Sequence, residues 1–457
     1  MTDLTNRPDL VIRHGTVVTA TAVFAADVAI TGEQIAAVGH DLRGQREIDA
    51  TGQYVIPGAI DGHVHLDMPI GRFTSTDDFF HGTRAAAFGG TTAVVDFVET
   101  RLEETMREAL AARQGVAASA VIDYGLHMTI GPTDIAKLDQ LAEIRAAGCG
   151  SIKLYMAYGL RLTDGDLLLA LERAAKVGAQ PVVHAENWDV ITTLITRNLA
   201  AGRTTPHWHP RSRPAELEGE AAGRVIDIAA YAGAPVHIFH VSCAATVKRI
   251  AAAKARGLPV TGETCPQYLY LTDELYDLPG VAGALPICSP PLRPAADRNA
   301  LWRALSAGAL DLVTTDHCPF TADEKATGLG NFSQIPGGVP SIESRLALVY
   351  AGLVGDGVPN PAALSRWVDV CCTTPARIFG FGRKGQLLPG YDADIVLFDP
   401  ARDFTITPDS LHETAGWTPY DGLTVRGWPT TTISRGEVIV DNGLWRGTVG
   451  RGRFVVR

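Results

Sequence analysis

The sequence predicts an α/β protein, a (β/α)8 TIM-like barrel joined to a small β-sandwich domain formed from both chain ends. Two observations predict this fold. The middle of the chain alternates short, apolar, β-rich runs with Ala-, Leu-, Arg- and Glu-rich stretches of helical period, which is typical of a barrel. Both ends instead contain short strands broken by turn residues. We therefore expect residues 1–56 and 385–457, with a C-terminal tail, to form the sandwich and residues 57–384 to form the barrel.

The elements follow from these patterns in order. The ends contain the strand-like runs "LVIRHGTVVT", "ADVAITGEQIAAVG", "GYDADIVLFDP" and "TTISRGEVIVDNG". In the middle, stretches such as "DLLLALERAAKVG" and "AATVKRIAAAKARG" have helical period and end at glycine. The eight expected barrel strands are Tyr54–His63, Thr92–Phe97, Ile122–Met128, Ser151–Met156, Pro181–His184, Pro235–His240, Pro259–Thr261 and Leu310–Thr315.

Composition narrows the classes of partner. The formal net charge is −10 and no long basic stretch is present, which disfavours nucleic acid and anionic membranes as partners. No run reaches the roughly 18–20 apolar residues that a membrane helix needs, and the first residues do not have the pattern of a secretory signal. The seven cysteines form no framework and are interpreted as reduced thiols. We therefore expect a cytoplasmic protein that acts on a small molecule.

Two histidines, His63 and His65, end the apolar run in "PGAIDGHVHLDMP". Strand alternation points both rings to the same side, where they could share a cation or lie in the core. Similar polar residues end other predicted strands, and the carboxyl ends of barrel strands converge on one rim. Imidazole and carboxylate suit Zn²⁺ or a similar divalent ion, and six groups suit two ions with a shared ligand. The six residues are His63, His65, Lys153, His184, His240 and Asp316.

Lys153 is the unusual member of this set, because a protonated amine does not bind metals. Burial lowers the pKa of a lysine and makes its neutral amine available. Reaction with CO₂ would then give a carbamate that bridges two ions. The alternative is an ordinary half-buried lysine paired with a carboxylate, and the residues alone leave both open.

Taken together, several motifs resemble one family. They are "PGAIDGHVHLDMP", "DDFFHGTRAAAFGGTT", "SIKLYMAY", "VVHAEN", "FHVS", "ETCPQYL", "CSPPLR", "TTDHCPF" and "KGQLLPGYDADIVLFDP". The chain resembles, over nearly its whole length, the cyclic amidohydrolases of the amidohydrolase superfamily, and most closely the dihydropyrimidinase/D-hydantoinase group.

The resemblance implies a binuclear metal centre. His63, His65 and Asp316 would hold one ion, His184 and His240 the other, and a carboxylated Lys153 (N6-carboxylysine) with a hydroxide would bridge them. Zn²⁺ is the default ion, with Mn²⁺ or Co²⁺ as alternatives. The hydroxide would attack the ring carbonyl of a cyclic amide or imide, with Asp316 as general base and then acid. Tyr158 would steady the oxyanion, and the product would be an N-carbamoyl amino acid.

Substrate contacts are also implied by the resemblance. Ser289 in "CSPPLR" would hold the ring amide through its backbone. Gly337 would supply the second backbone contact, although the family usually has Asn there, and this turn reads "IPGG". An apolar pocket for the exocyclic substituent would be formed by Leu66, Tyr155 and Leu162.

Two positions narrow the class of substrate. Leu66 stands where dihydroorotases usually have an arginine, and Tyr158 is a residue that allantoinases usually lack. Both favour an uncharged ring, such as dihydrouracil or a 5-substituted hydantoin. The alternatives are an allantoinase-like hydrolase of another cyclic ureide and a catalytically inactive tetrameric scaffold. The resemblance also suggests a homotetramer, or a homodimer.

Three further histidines are expected to lie outside the metal site. His207 and His209 lie in the Pro- and Arg-rich stretch "TTPHWHPRSRP", which we interpret as a loop near the rim or at a subunit contact. His237, near His240 on the sixth strand, is expected to face the helices.

Overall fold

Two large β-sheets organise the chain in this computed structural model, which describes residues 7–355 and 357–457. One is an eight-stranded parallel sheet that curves into a nearly closed barrel, and the other is a separate, mainly antiparallel sheet built from both chain ends. The predicted fold class is confirmed. The boundaries of the units at residues 56/57 and 384/385 stay predictions.

The strands, in chain order, are β1 (Leu10–Val18), β2 (Val23–Thr31), β3 (Gln34–Gly39), β4 (Arg46–Asp49), β5 (Tyr54–Pro57), β6 (Ala59–Asp61), β7 (Pro69–Ile70), β8 (Phe73–Thr74), β9 (Thr91–Val98), β10 (Asp123–Ile130), β11 (Ser151–Tyr155), β12 (Gln180–His184), β13 (Val236–Ile238), β14 (Val260–Thr264), β15 (Leu312–Val313), β16 (Ile395–Thr405), β17 (Thr424–Ser434), β18 (Glu437–Asp441) and β19 (Leu444–Trp445).

The α-helices are α1 (Phe79–Phe88), α2 (Met106–Val116), α3 (Leu141–Ala146), α4 (Asp164–Val177), α5 (Trp188–Ala200), α6 (Trp208–Ser212), α7 (Ala215–Ala232), α8 (Ala244–Ala255), α9 (Pro266–Tyr270), α10 (Val281–Ala284), α11 (Ala295–Ser306), α12 (Ala322–Ala326), α13 (Arg345–Leu353), α14 (Pro361–Val368) and α15 (Thr374–Phe379). Within the described ranges, none of these helices is both long enough and apolar enough to cross a membrane.

The barrel follows chain order, from β6 through β9 to β15, with every neighbouring pair parallel. A bridge between Val64 and His317 brings the ends of the first and eighth strands together. Below the rim, the barrel interior is filled by apolar side chains that include Ile60, Val95, Phe97, Val182, Phe239 and Leu312.

The helices outside the barrel form for local reasons that α4 illustrates. The Thr163 side chain caps its start by accepting from the Asp166 backbone N–H. Its end is a left-handed Gly178 with φ of 68°, a conformation that glycine adopts without strain. Its apolar residues recur at helical spacing and are buried, namely Leu167, Ala170, Leu171 and Ala174.

The first predicted barrel strand, Tyr54–His63, is wrong in one respect. It forms two strands in different sheets, because β5 pairs with β1 and β16 of the end sheet whereas β6 pairs with β9 of the barrel. Gly58 lies at the crossing, where its N–H donates to the Asp394 carbonyl at 2.8 Å. A Cβ at Gly58 would lie 2.1 Å from Oγ1 of Thr92, so this crossing requires glycine.

Candidate active site

The six predicted ligands, His63, His65, Lys153, His184, His240 and Asp316, all line one cavity of about 670 Å³ at the carboxyl ends of the barrel strands. His63 and His65 follow β6, Lys153 lies within β11, and the other three end or follow β12, β13 and β15. The backbone is strained here, since His240 and Asp316 have positive φ angles of 37° and 51°.

His63, His65 and Asp316 form the first half of the site. The Nε2 atoms of His63 and His65 lie 3.0 and 3.1 Å from the same Oδ1 atom of Asp316. Burial alone would raise the pKa of Asp316, but charge attraction to His63 and hydrogen bonds from both histidines hold it well below its usual range. Asp316 is therefore an anion at neutral pH. A ring nitrogen from each of His63 and His240 and an oxygen of Asp316 lie within 4.8 Å of one another, so these three groups could hold a metal ion.

His184 and His240 form the second half. Nδ1 of His184 lies 2.9 Å from Nε2 of His240. Burial lowers the pKa of both rings, which keeps them neutral. Two neutral imidazole nitrogens that face each other at this distance need a proton or a cation between them, and the donor chemistry fits a divalent ion.

Two buried carboxylates orient these rings from behind. Oε1 of Glu263 lies 2.8 Å from Nδ1 of His63, and its other oxygen lies 3.0 Å from Nε2 of His237. Glu186 lies 2.8 Å from Nε2 of His184 and also pairs with Arg213. A carboxylate on the second nitrogen is the usual way in which a metal-binding histidine is fixed. It leaves Nε2 of His63 and Nδ1 of His184 facing the cavity.

The position of His237 corrects a prediction. Its side chain is buried inside the barrel on Glu263 rather than facing the helices. Strand β13 ends at Ile238, and the positive φ of His240 breaks the alternation that the prediction assumed. His237 and His240 therefore share the interior although they are an odd number of residues apart.

Lys153 is fully buried, which excludes the half-buried alternative. Its Nζ lies 4.0 Å from the ring centroid of Phe239 and 4.7 Å from that of Tyr155. Burial lowers the pKa of Lys153 to about 7, so a substantial fraction of the amine is neutral near neutral pH. A neutral amine is the form that reacts with CO₂.

Tyr158, Ser289 and Gly337 also line the cavity. The Tyr158 ring centroid lies 5.2 Å from that of His184, and burial raises the pKa of Tyr158 to about 12, so its hydroxyl keeps its proton. A Cβ on Gly337 would lie 3.8 Å from Oγ of Ser289, which shows that the two backbone segments face each other.

The structure brings only one of the three predicted apolar pocket residues into the cavity. Tyr155 lines it, but Leu66 and Leu162 do not. Leu66 packs on α1 instead, where a Cβ at Gly82 would lie 2.3 Å from its Cδ2. Leu162 is buried in the wall, with its N–H bonded to the Tyr155 carbonyl at 2.9 Å.

The apolar wall that does line the cavity comes from other segments. One face of α5 contributes part of it, and the loop that contains Phe332 and Ile335 contributes another part. The other apolar lining residues include Met68, Pro69, Ile70, Leu160 and Ile287. The Thr192 and Thr196 hydroxyls of this face donate to backbone carbonyls of their own helix, so they are not needed as donors in the cavity. The α5 wall consists of Trp188, Thr192, Ile195 and Thr196.

His207 and His209 were predicted to lie in a loop, but His209 is in the short helix α6 and His207 is the residue before that helix. Nε2 of His209 donates to the Cys288 carbonyl at 2.8 Å, and His207 pairs with Asp277. His209 lines the cavity.

Sequence reasoning missed the carboxylates and the α5 wall. Glu263 lies at the end of the seventh barrel strand, and the carboxyl ends of barrel strands are where functional residues are expected. It was missed because that strand was expected to stop at Thr261. Glu186 follows His184 by two residues in "HAEN", a spacing that places both near one strand end. Nothing in the α5 sequence distinguishes a cavity wall from an ordinary buried helix face.

Comparisons with known proteins identify the family of this chain. Residues 54–439 match the profile of the Amidohydrolase family. A D-hydantoinase from Geobacillus stearothermophilus is 41% identical over 98% of this chain and 96% of that protein. A D-hydantoinase from Streptomyces coelicolor is 40% identical over 98% of this chain and 97% of that protein.

Solved structures give the same result. The crystal structure of dihydropyrimidinase from Brevibacillus agri superimposes with a TM-score of 0.95 at 43% identity, covering 98% of each chain. Because the family match spans most of the chain and the relatives match it almost end to end, the chain belongs to the amidohydrolase family and is a cyclic amidohydrolase of its dihydropyrimidinase/D-hydantoinase group.

Proposed function

We propose that this enzyme is a binuclear metal hydrolase that opens dihydropyrimidines and 5-substituted hydantoins to N-carbamoyl amino acids. One observation carries the proposal. Four imidazoles, a carboxylate and a buried lysine from five barrel strands surround a single cavity. The two D-hydantoinases and the dihydropyrimidinase described above support the substrate class.

In this proposal, His63, His65 and Asp316 hold one divalent ion, and His184 and His240 hold the other. Lys153, as its carbamate, would be a ligand shared by both ions, and Zn²⁺ is the expected ion, with Mn²⁺ or Co²⁺ as alternatives. When bound, the ions lower the pKa of a water molecule, so that a hydroxide is available near neutral pH. The facing nitrogens of His184 and His240, 2.9 Å apart, and the shared oxygen of Asp316 support this assignment.

The protein groups then have separate tasks. Asp316, an anion at neutral pH, accepts the proton of the attacking water and delivers it to the leaving ring nitrogen. Tyr158 keeps its proton because burial raises its pKa to about 12, so it can donate to the oxygen that becomes negative. The backbones at Ser289 and Gly337 hold the ring amide, which orients the carbonyl for attack.

The cavity has room for a substituent on the ring. About 670 Å³ exceeds the volume of an unsubstituted six-membered ring, and the lining includes apolar side chains of α5 such as Trp188 and Ile195. We propose that the exocyclic group of a hydantoin packs on the α5 wall rather than on Leu66 and Leu162.

Two other properties are part of the proposal. We infer a cytoplasmic protein, because all seven cysteines are free and buried. We infer a homotetramer, or a homodimer, from the likeness to the family, and measurement of the molar mass in solution would test it.

The first experiment is a ring-opening assay on Zn²⁺-loaded protein with dihydrouracil and D-5-phenylhydantoin side by side. We expect both rings to open, and the bulky hydantoin to be the better substrate because of the α5 wall. Faster opening of dihydrouracil would point to pyrimidine breakdown instead. Bound metal with neither ring opened would contradict the proposed substrate class.

A further inference from the structure

Lys325, on the short helix α12, joins two backbone segments beside the cavity. Its Nζ donates to the Ile287 carbonyl at 2.9 Å and to the Pro336 carbonyl at 3.1 Å. The side chain is fully buried, with an exposed fraction of 0%. The contacts therefore form away from water, where a hydrogen bond to a carbonyl is strong and its loss is costly.

The two backbone segments that Lys325 joins both line the cavity. Ile287 and Ser289 line the cavity from one side, and Ile335, Gly337 and Gly338 line it from the other. They also contact each other directly, since the Gly338 N–H donates to the Ile287 carbonyl at 2.9 Å. Lys325 thus reinforces the one backbone hydrogen bond between the segments.

The surroundings of Lys325 suit a residue that joins two backbone segments better than they suit a residue in an ion pair. Among residues 7–355 and 357–457, no carboxylate lies within ion-pairing distance of its Nζ. The side chains that raise the pKa of Lys325 are the thiols of Cys288 and Cys318, and their effect is smaller than that of burial. Burial lowers the pKa of Lys325 to about 7, so a neutral amine is accessible. A neutral amine has two N–H donors, and two carbonyls accept them.

The Ile287–Ser289 segment is also fixed from a second direction. Nε2 of the buried His209 donates to the Cys288 carbonyl at 2.8 Å. On the other segment, Gly338 has φ of 147°, and a Cβ there would lie 2.2 Å from the Cys318 carbonyl oxygen. Both segments are therefore also held by contacts with other residues of the cavity lining.

We infer that Lys325 is a positioning residue that sets the spacing between the two backbone segments that hold the ring amide of the substrate. The inference rests on the proposed function, in which Ser289 and Gly337 make those contacts.

The test compares steady-state kinetics of wild type, Lys325→Met and Lys325→Gln with D-5-phenylhydantoin, together with bound Zn²⁺ per chain. Methionine keeps the length of the side chain and removes both donors, whereas glutamine keeps donors but is shorter. For Lys325→Met we expect KM to rise about tenfold or more, the effect of losing one or two buried hydrogen bonds. We expect kcat to change less than threefold and bound Zn²⁺ to stay the same, which a general loss of folding would not produce.

Lys384→Met is the matched control. Lys384 is also buried, but its Nζ pairs with Asp123, Asp392 and Asp394, at 2.7, 3.1 and 2.6 Å, away from the cavity. We expect it to lower stability and to leave KM within twofold of the wild-type value.

The outcomes separate the two proposals. A wild-type enzyme that opens neither ring overturns the proposed function and this inference with it. A wild-type enzyme that opens the ring, with KM unchanged in Lys325→Met, overturns the inference alone. If neither Lys325 variant folds while Lys384→Met does, Lys325 is a folding residue and the inference is also overturned.

Discussion

The Nδ1 atom of His63 lies 2.8 Å from Oε1 of Glu263, so the seventh barrel strand fixes a ring carried by the end of the first. Hydrogen bonds from His237 and His63 outweigh the effect of burial and lower the pKa of Glu263 to about 2, which keeps it an acceptor at working pH. Because an acceptor on Nδ1 requires a proton there, Nε2 is the nitrogen of His63 that faces Asp316 and would be the one to bind a metal ion.

Glu263→Gln tests this orientation. We expect the affinity for Zn²⁺ to fall about 10- to 100-fold, the usual cost of removing such a partner, with activity recovering in excess Zn²⁺. Dialysis against graded chelator, followed by metal analysis, measures the affinity. The control is Asp123→Asn, a buried carboxylate that pairs with Lys384. An affinity that falls equally in both variants would mean that Glu263 acts through stability alone.

Lys153→Met tests the bridging carbamate. Methionine preserves the packing on Phe239 and Tyr155 but cannot react with CO₂, so we expect bound metal and activity to be lost together. Metal content per chain is the measurement. Lys254→Met is the control, since Lys254 pairs with Asp311 at 2.8 Å on the outside of the barrel. Two ions per chain in Lys153→Met would rule out the bridge.

Tyr158→Phe tests the oxyanion contact. Removing the hydroxyl should lower kcat by roughly 10²–10³, the usual effect of losing one oxyanion donor, while both ions remain bound. Tyr155→Phe is the control, because Tyr155 lines the same cavity and has no assigned donor role. Equal kcat in wild type and Tyr158→Phe would remove Tyr158 from the mechanism.

Lys325 should also influence how stability depends on pH. Burial lowers its pKa from 10.5 to about 7, so between these values the unfolded chain binds more protons than the native protein. The free energy of unfolding therefore rises with pH across this window, with a slope from Lys325 that approaches one proton. Lys325→Met should lack this contribution in urea unfolding measured between pH about 7 and 10. Identical slopes would mean that native Lys325 remains protonated.

The residues at the rim of the barrel could be predicted because they follow from local sequence patterns. His63 and His65 share a strand face, and each later ligand ends a run of apolar residues, so one topology brings all six together. The split of the first strand could not be predicted, because it depends on Gly58 passing Thr92 at a distance that only the folded chain reveals.

Side-chain directions after the strands were less predictable. Alternation misplaced His237 because the left-handed conformation of His240 interrupts the strand, and no residue type announces it. Leu66 packs on α1 because it follows His65, which faces the cavity, so that alternation directs Leu66 to the other side. Its place in the pocket was implied by the resemblance, not by alternation. Lys325 and the α5 wall depend on contacts between segments far apart in the chain, which sequence periodicity does not encode.

The α5 wall gives the sharpest prediction about substrate choice. Ile195→Trp adds volume to the wall and should fill the space that a bulky substituent needs, at little cost to a small ring. We expect kcat/KM for D-5-phenylhydantoin to fall at least about tenfold, and kcat/KM for dihydrouracil to change less than threefold. Val190→Trp is the control, because Val190 is on the same helix but outside the cavity lining. Equal losses for both substrates would mean that the wall contacts the ring itself, and no loss for either would place the substituent elsewhere in the cavity.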